Sequence, residues 1–370
     1  MENNKFKVII SGGGTGGHIF PAVSIANALK ELYPEVEILF IGAEGRMEME
    51  KVPAAGYEII GLPVVGMQRK LSAKSFTFIL KLMKSLKKAK KIIKDFNPQV
   101  VVGVGGYASG PALRAATNLK IPCLIQEQNS YPGVTNKILA KKVEKICVAY
   151  DNMDKFFPAS KIIKTGNPVR QDIKDLEKKR NEAFDYFKLS KSKPTILIIG
   201  GSLGARTINQ SISKHLKTIN NNNIQIIWQT GKNYIQTAKQ EVDELNSPNI
   251  FVSDFIYKMD FAYSAADIII SRAGASTISE LCIVGKPAIF VPSPNVAEDH
   301  QTKNAAALTD KGAALLIKDD ESIEKLVTEA IKLINDKEKQ ESLSKNIKKL
   351  ALYNSAEIIA KEVFYLSKLQ

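Results

Sequence analysis

Lys7-Val8-Ile9-Ile10-Ser11-Gly12-Gly13-Gly14-Thr15-Gly16-Gly17-His18 opens the chain with an apolar run and a glycine loop, and a helical pattern follows at Ile25, Ala26, Leu29 and Leu32. The same order recurs at Thr195-Ile196-Leu197-Ile198-Ile199, then Gly200-Gly201-Ser202-Leu203-Gly204-Ala205, then a helix expected from Arg206. A short, continuous apolar run bounded by glycine reads as a strand covered on both faces, the pattern of a parallel sheet. Two such openings in a 370-residue chain predict two doubly wound α/β domains. Further strands are expected near 37–41, 99–104, 121–125 and 146–149, and near 224–229, 250–252, 267–271 and 287–291. The boundaries read as 1–168 and 169–349, with a linker near Gly166-Asn167-Pro168 and a last helical segment, about 350–370, able to cross back to the first domain. In such folds ligands bind at the carboxyl ends of strands, so the expected site is a cleft between two facing domains.

Composition narrows the class. Hydrophobic residues make up 44% and charged residues 24%, enough for a real core. Three cysteines (Cys123, Cys147 and Cys282) make no disulfide framework and no metal clip. The N-terminal apolar run is too short for a signal-peptide core, and no stretch approaches the ~20 apolar residues of a membrane span. A reducing cytoplasm is the default expectation.

The net charge of +14 is uneven. Residues 1–170 hold 25 Lys and Arg against 13 Asp and Glu, and residues 69–94 hold ten basic residues and no acid. Such a patch calls for an anionic partner. Placed on a helix, 76–94 puts Phe78, Ile79, Leu82, Leu86, Ala89 and Ile93 on one stripe, the expected core face. Phe76 and Leu80 fall instead among Lys84, Lys87, Lys91 and Lys94, with Met83 at the border. That mixture suits an anionic bilayer, with Lys at the headgroups and Phe76, Leu80 and Met83 in the acyl boundary. The alternative is that Phe76 and Leu80 pack under a neighbouring loop. Nothing in the sequence carries a nucleic-acid motif or an aromatic platform, so no nucleic-acid partner is expected.

Three glycine loops follow expected strands, at 12–17, 103–110 and 200–204. Glycines let backbone N–H groups approach phosphate oxygens at a helix N-terminus. Gly12, Gly14 and Gly17 match the dinucleotide spacing, but the ribose acid expected at the end of the second strand is missing, which argues against a dehydrogenase. A small-residue turn, Arg272-Ala273-Gly274-Ala275-Ser276-Thr277, opens another helix, with Glu280 in its first turns. Glu280 has the reach for a ribose diol; compensation of the helix dipole is an equally available role. His18, one of three histidines with His215 and His300, ends a glycine loop where catalytic groups sit. Its side-chain type suits proton transfer at neutral pH. No cluster has metal-ligand spacing, and Asp319-Asp320-Glu321 reads as a solvated turn.

Taken together, several stretches stand in the order of one family: 10–22, Gly105-Gly106-Tyr107-Ala108-Ser109-Gly110-Pro111, Glu127-Gln128-Asn129, 166–170, 200–205 and 271–280. The chain resembles the MurG family, the peripheral glycosyltransferase of peptidoglycan synthesis, over nearly its whole length. The resemblance implies the GT-B fold. It also implies inverting transfer of N-acetylglucosamine from UDP-N-acetylglucosamine to the C4 hydroxyl of the N-acetylmuramyl-pentapeptide of lipid I, giving lipid II. It implies no cofactor and no metal in the site, a location at the cytoplasmic face of the cell membrane, and other cell-wall synthesis proteins as partners. By motif, the donor contacts fall on Thr15, Gly16, Gly17, Asn129, Arg170, Ser202, Ile256 (uracil), Ala275, Ser276, Thr277 (diphosphate), Glu280 (ribose) and Gln301 (sugar hydroxyl). Many members have two consecutive glutamines where this chain has Gln301 alone. Gly14, Gly105, Gly106 and Tyr107 are expected at the acceptor pyrophosphate. His18 is the favoured base, with Glu127 second. A UDP-N-acetylglucosamine 2-epimerase of the same architecture is the rival enzyme; it has no use for a membrane face.

Overall fold

The computed structural model describes residues 5–64, 74–169, 173, 175–201, 203–296 and 299–368, with backbone alone for 74–79. The chain forms two compact units, Met1–Val169 with Tyr353–Gln370, and Arg170–Leu352.

The first unit runs β1 (Lys7–Gly12), α1 (Gly16–Leu32), β2 (Glu37–Ala43), α2 (Glu48–Ala54), β3 (Glu58–Leu62), α3 (Lys74–Phe96), β4 (Val100–Gly105), α4 (Ser109–Asn118), β5 (Cys123–Glu127), α5 (Val134–Leu139), β6 (Lys145–Val148) and β7 (Ile162–Lys164). Its strands pair in the order β3-β2-β1-β4-β5-β6-β7, and every pairing is parallel. Val8, Ile9 and Ile10 are fully buried, as a strand with helices on both faces demands. The edge strands β3 and β7 escape the sequence reading because they are short and partly exposed.

The second unit runs α6 (Leu176–Phe187), β8 (Thr195–Ile199), α7 (Arg206–Lys214), α8 (Leu216–Asn221), β9 (Gln225–Gln229), α9 (Ile235–Leu245), β10 (Ile250–Ser253), α10 (Met259–Ala265), β11 (Ile268–Ser271), α11 (Ala275–Val284), β12 (Ala288–Phe290), α12 (His300–Thr309), β13 (Leu315–Leu316), α13 (Ser322–Asn335) and α14 (Lys337–Lys348). Its sheet order is β10-β9-β8-β11-β12-β13, again parallel. In both units the chain reverses direction across the sheet at the first strand, which opens a crevice at the carboxyl ends of β1 and β4 and of β8 and β11.

The expected last helical segment, about 350–370, starts later than its lower bound. Residues 349–354 are not helical, Asn354 has φ of 59°, and α15 (Ser355–Ser367) joins the first unit. There Ile359, Ala360, Val363 and Leu366 are buried with α1 residues, and Phe364 stacks on Tyr33 at 4.1 Å between ring centres.

On α3, Ala89, Ile92 and Ile93 are buried, but Leu82, expected on the core face, is exposed. Residues 80–84 are all exposed. Of the expected stripe, Ala89 and Ile93 are buried and Leu86 is half-buried, while the side chains of Phe78 and Ile79 lie outside the described residues.

Candidate active site

In the first unit, β1 and β4 are neighbours, so their two glycine loops emerge side by side. The Gly13 N–H donates to the Gly105 carbonyl at 3.3 Å. His18, half-buried in the first turns of α1, lies across them. Its Nδ1 is 3.1 Å from the Gly13 carbonyl and 3.3 Å from Thr15 Oγ1. The ring edge presses on Gly105, where a Cβ would come within 2.9 Å of Nε2. Gly105 has φ of 98°, so both space and backbone demand glycine there. Tyr107 is half exposed, and its ring lies beside Gly14.

Gly14 does not fill the role expected of it. Its N–H donates to Glu48 Oε2 at 2.8 Å, so that amide is not offered to a pyrophosphate. The buried carboxylate beneath it also disfavours an anion at that point.

Glu127 is corrected as well. It is 1% exposed, and its carboxylate accepts four bonds: Asn129 N and Nδ2 on Oε1 (3.0 and 3.2 Å), Gly133 N and Asn136 Nδ2 on Oε2 (3.1 and 2.8 Å). Burial pushes its carboxyl above the ordinary range, and these donors pull it back. A carboxylate with both oxygens engaged shapes the 127–136 loop. Asn129, the expected sugar contact, is held by it. The interior behind this loop is tied by Gln126, whose Nε2 donates to Asn167 Oδ1 at 2.9 Å, and by Gln128, whose Nε2 donates to the Val104 carbonyl at 2.7 Å.

In the second unit, Ala275, Ser276 and Thr277 open α11 behind Gly274, directly after β11. The Ser276 hydroxyl is buried and has no hydrogen-bond partner among the described residues. Glu280 Oε2 accepts from the buried Tyr263 hydroxyl at 2.8 Å, which fixes the carboxylate one turn into the helix. Ile256 is buried, and its N–H donates to Gln229 Oε1 at 3.0 Å, so its carbonyl is the group left to recognise a base. The same Gln229 donates through Nε2 to the Gly201 carbonyl at 3.0 Å. Gln301 Oε1 accepts from Ser293 N at 2.8 Å, which makes its amide nitrogen the outward donor. Asp319, read from sequence as solvated, is bonded to Arg272 Nη1 and accepts from Thr207 Oγ1 at 2.9 Å. Arg272 also bonds the Val291 and Pro292 carbonyls, so it braces the loop after β12.

Arg170, Ser202 and the Phe76 side chain lie outside the described residues. Leu80 and Met83 are 44% and 61% exposed, with Lys84 and Lys87 exposed beside them. Glu48, Gln229 and Tyr263 were not singled out by sequence. Each acts on a partner 17 to 34 residues away, with no local pattern to reveal it.

Comparison with known proteins follows the same lines. Residues 8–148 match the glycosyltransferase family 28 N-terminal domain, and residues 195–359 its C-terminal domain. A protein of Phocaeicola vulgatus, 60% identical over 368 residues (99% of this chain, 98% of the other), is named UDP-N-acetylglucosamine–N-acetylmuramyl-(pentapeptide) pyrophosphoryl-undecaprenol N-acetylglucosamine transferase. Among solved structures, Acinetobacter baumannii MurG superposes with a TM-score of 0.76 at 29% identity, covering 97% of this chain and 99% of that one. A UDP-GlcNAc 2-epimerase from Neisseria meningitidis has a TM-score of 0.68 at 18% identity, covering 97% of this chain and 100% of that one, and shares the fold alone. With the two domain matches in register and near-full-length identity of this order, the chain is a hexosyltransferase of the GT-B fold and belongs to glycosyltransferase family 28, in its MurG branch.

Proposed function

We propose that the chain moves N-acetylglucosamine from UDP-N-acetylglucosamine to the C4 hydroxyl of the N-acetylmuramyl-pentapeptide on undecaprenyl pyrophosphate, inverting the anomeric carbon, with His18 as the general base. The placement of His18 carries this reading. It is a half-buried imidazole at the carboxyl end of β1, anchored through Nδ1. Of the two titratable candidates it is the less buried, half-buried where Glu127 is 1% exposed. The acceptor hydroxyl gives its proton to His18 as its oxygen bonds the anomeric carbon, and the electron pair of the breaking bond leaves with UDP.

The leaving diphosphate gains charge in the transition state, and helix N-termini stabilise it. The unpartnered Ser276 hydroxyl at the opening of α11 supports that placement, because a phosphate oxygen would complete its hydrogen bonding. Glu280, steadied by Tyr263, is assigned to the ribose diol, the Ile256 carbonyl to uracil, and Gln301 and Asn129 to sugar hydroxyls. Arg170 and Ser202 keep their diphosphate assignment from the family motif alone.

The anionic membrane surface enters through α3. No helix among the described residues is long and apolar enough to cross a membrane. Leu80, Leu82 and Met83 are nonetheless exposed among Lys81, Lys84 and Lys87, an arrangement that lies well in a headgroup layer. Docking there would put the enzyme at the cytoplasmic face of the cell membrane, beside a prenyl-linked acceptor.

The test is transfer of labelled N-acetylglucosamine from its UDP donor to a lipid I analogue. Product dependent on acceptor supports the reading. Conversion of the donor to its 2-epimer without acceptor would replace it. For the base, His18→Ala is expected to lower kcat far more than UDP affinity; equal loss of both removes His18 from that role.

A further inference from the structure

Glu48 opens α2, is fully buried, and plays no part in the chemistry just described. Its Oε1 accepts from Ala43 N at the end of β2 (3.0 Å), and its Oε2 accepts from Gly14 N (2.8 Å). The surroundings are shaped to admit it. A Cβ on Gly13 would fall 2.2 Å from Oε1, and one on Gly42 would fall 2.7 Å from Cγ. A carboxylate is costly to keep away from water, so its retention at this point needs a reason.

The Gly14 N–H that Glu48 holds belongs to the same planar peptide as the Gly13 carbonyl. That carbonyl points the other way and meets His18 Nδ1 at 3.1 Å. The order is carboxylate, peptide, imidazole. A carbonyl can only accept, so this contact requires the proton on Nδ1 and leaves Nε2 as the basic nitrogen. An anion on the N–H side polarises the peptide and strengthens the carbonyl as an acceptor. Thr15 Oγ1, at 3.3 Å, is a second and longer neighbour of the same nitrogen.

We propose that Glu48 is a positioning residue for His18, acting through the Gly13–Gly14 peptide to hold the imidazole in its Nδ1–H tautomer. The inference deepens the reading of His18 as base and rests on it. The acceptor's proton goes to Nε2. The polarised carbonyl then faces the imidazolium that forms. Interposing a peptide keeps the full negative charge one group further from the substrate's phosphates than direct contact would.

The test reads the tautomer itself. Long-range ¹H–¹⁵N NMR of the side chains resolves three histidines, and the His18 signals are those lost in His18→Ala. The wild-type protein is expected to show His18 protonated at Nδ1, and Glu48→Gln to shift its population toward Nε2–H. In the same variant kcat is expected to fall about tenfold, with KM for UDP-N-acetylglucosamine within about twofold, the size of effect seen for a weakened general base. In a His18→Ala background Glu48→Gln should cost less than about twofold more, because both changes act on one group. A wild-type His18 protonated at Nε2 overturns the proposal, whatever the variants do. So does an unchanged tautomer in folded Glu48→Gln, or an equal kcat loss in the His18→Ala background. Failure of the base reading looks different: His18→Ala keeps its turnover while the tautomer still responds to Glu48.

Discussion

Replacing Glu127 by Gln separates a scaffold from a base. The carboxylate holds two backbone N–H groups and two side-chain amides. A Gln side chain offers one oxygen and one NH₂, so one of the two pairs must face a donor. The side-chain amides can turn over, but the backbone N–H groups cannot. Asn136 Oδ1 is already buried without a partner, so turning that amide exchanges one orphan for another at little cost. The NH₂ therefore settles toward Asn136, and the Gly133 N–H is left facing a donor. One bond to a charged acceptor becomes repulsive and the remaining ones weaken to neutral strength. The lower cost of burying an amide offsets part of this. The net expected loss is about 2–4 kcal/mol. Urea unfolding reads it as a lowered midpoint at unchanged slope. Because the oxygen still faces Asn129, KM for the donor should barely move, and kcat should stay within about tenfold of wild type. A kcat collapse of about a hundredfold or more at an unchanged unfolding midpoint would refute the reasoning and restore Glu127 as the base.

Gln229→Leu orphans the buried Ile256 N–H and removes one of the two donors to the Gly201 carbonyl, and is expected to weaken UDP binding by about 1–3 kcal/mol in calorimetry; an unchanged Kd would separate Gln229 from the nucleotide. Glu280→Ala should cost a similar amount if its carboxylate bonds the ribose, about 1–3 kcal/mol, and Tyr263→Phe a smaller part of it. Leu80→Asp with Met83→Asp should release the protein from anionic vesicles while leaving transfer to a soluble acceptor analogue intact; retained sedimentation with vesicles would discard the α3 surface. Lys286 is pulled down to about 8 by burial and by the Arg180 charge, from an ordinary 10.5, so its charged form is disfavoured in the folded chain. That penalty is complete below the folded value and is relieved as pH climbs toward the unfolded one. Wild type should therefore gain stability over Lys286→Met above about pH 8, by at most about 1.4 kcal/mol per pH unit, and a flat or falling difference would be the contrary result.

The fold could be read from the two strand–glycine–helix openings because parallel strands are covered on both faces, and Val8-Ile9-Ile10 and Ile196-Leu197-Ile198 carry that demand openly. Edges were harder. Glu58–Leu62 and Ile162–Lys164 have one neighbouring strand each and no continuous apolar run. On α3, periodicity says which residues share a face, not where the core ends; Leu82 has the phase of the core face and is 37% exposed. The motif residues of the site were legible as spacing. Their supports were not, because a buried polar group is recognised only by its partner. Asp319 looked solvated until Arg272 and Thr207, 47 and 112 positions away, were seen beside it.

The glycine-rich loops of this chain bond several of their own amides internally. In the first loop Gly13 N bonds the Gly105 carbonyl, Gly14 N bonds Glu48, and His18 N and Ile19 N both bond the Thr15 carbonyl. Among the described residues this leaves Thr15, Gly16 and Gly17, the opening of α1, as the amides with no acceptor set against them. In the third loop Gly204 N closes back on the Gly201 carbonyl. Most of the glycines are therefore used for close approach: Gly13 makes room for Glu48, Gly105 for the His18 ring, and Gly106 for the Gly13 carbonyl. Capacity for an anion follows unsatisfied amides at a helix opening, not the number of glycines. By that measure the first turns of α1 and α11 are the places where a diphosphate oxygen gains most. The buried Glu48 and Gln229 then serve the same physical end from below. Each satisfies neighbouring backbone groups within its own unit in advance, so its loop is held in place before any ligand arrives.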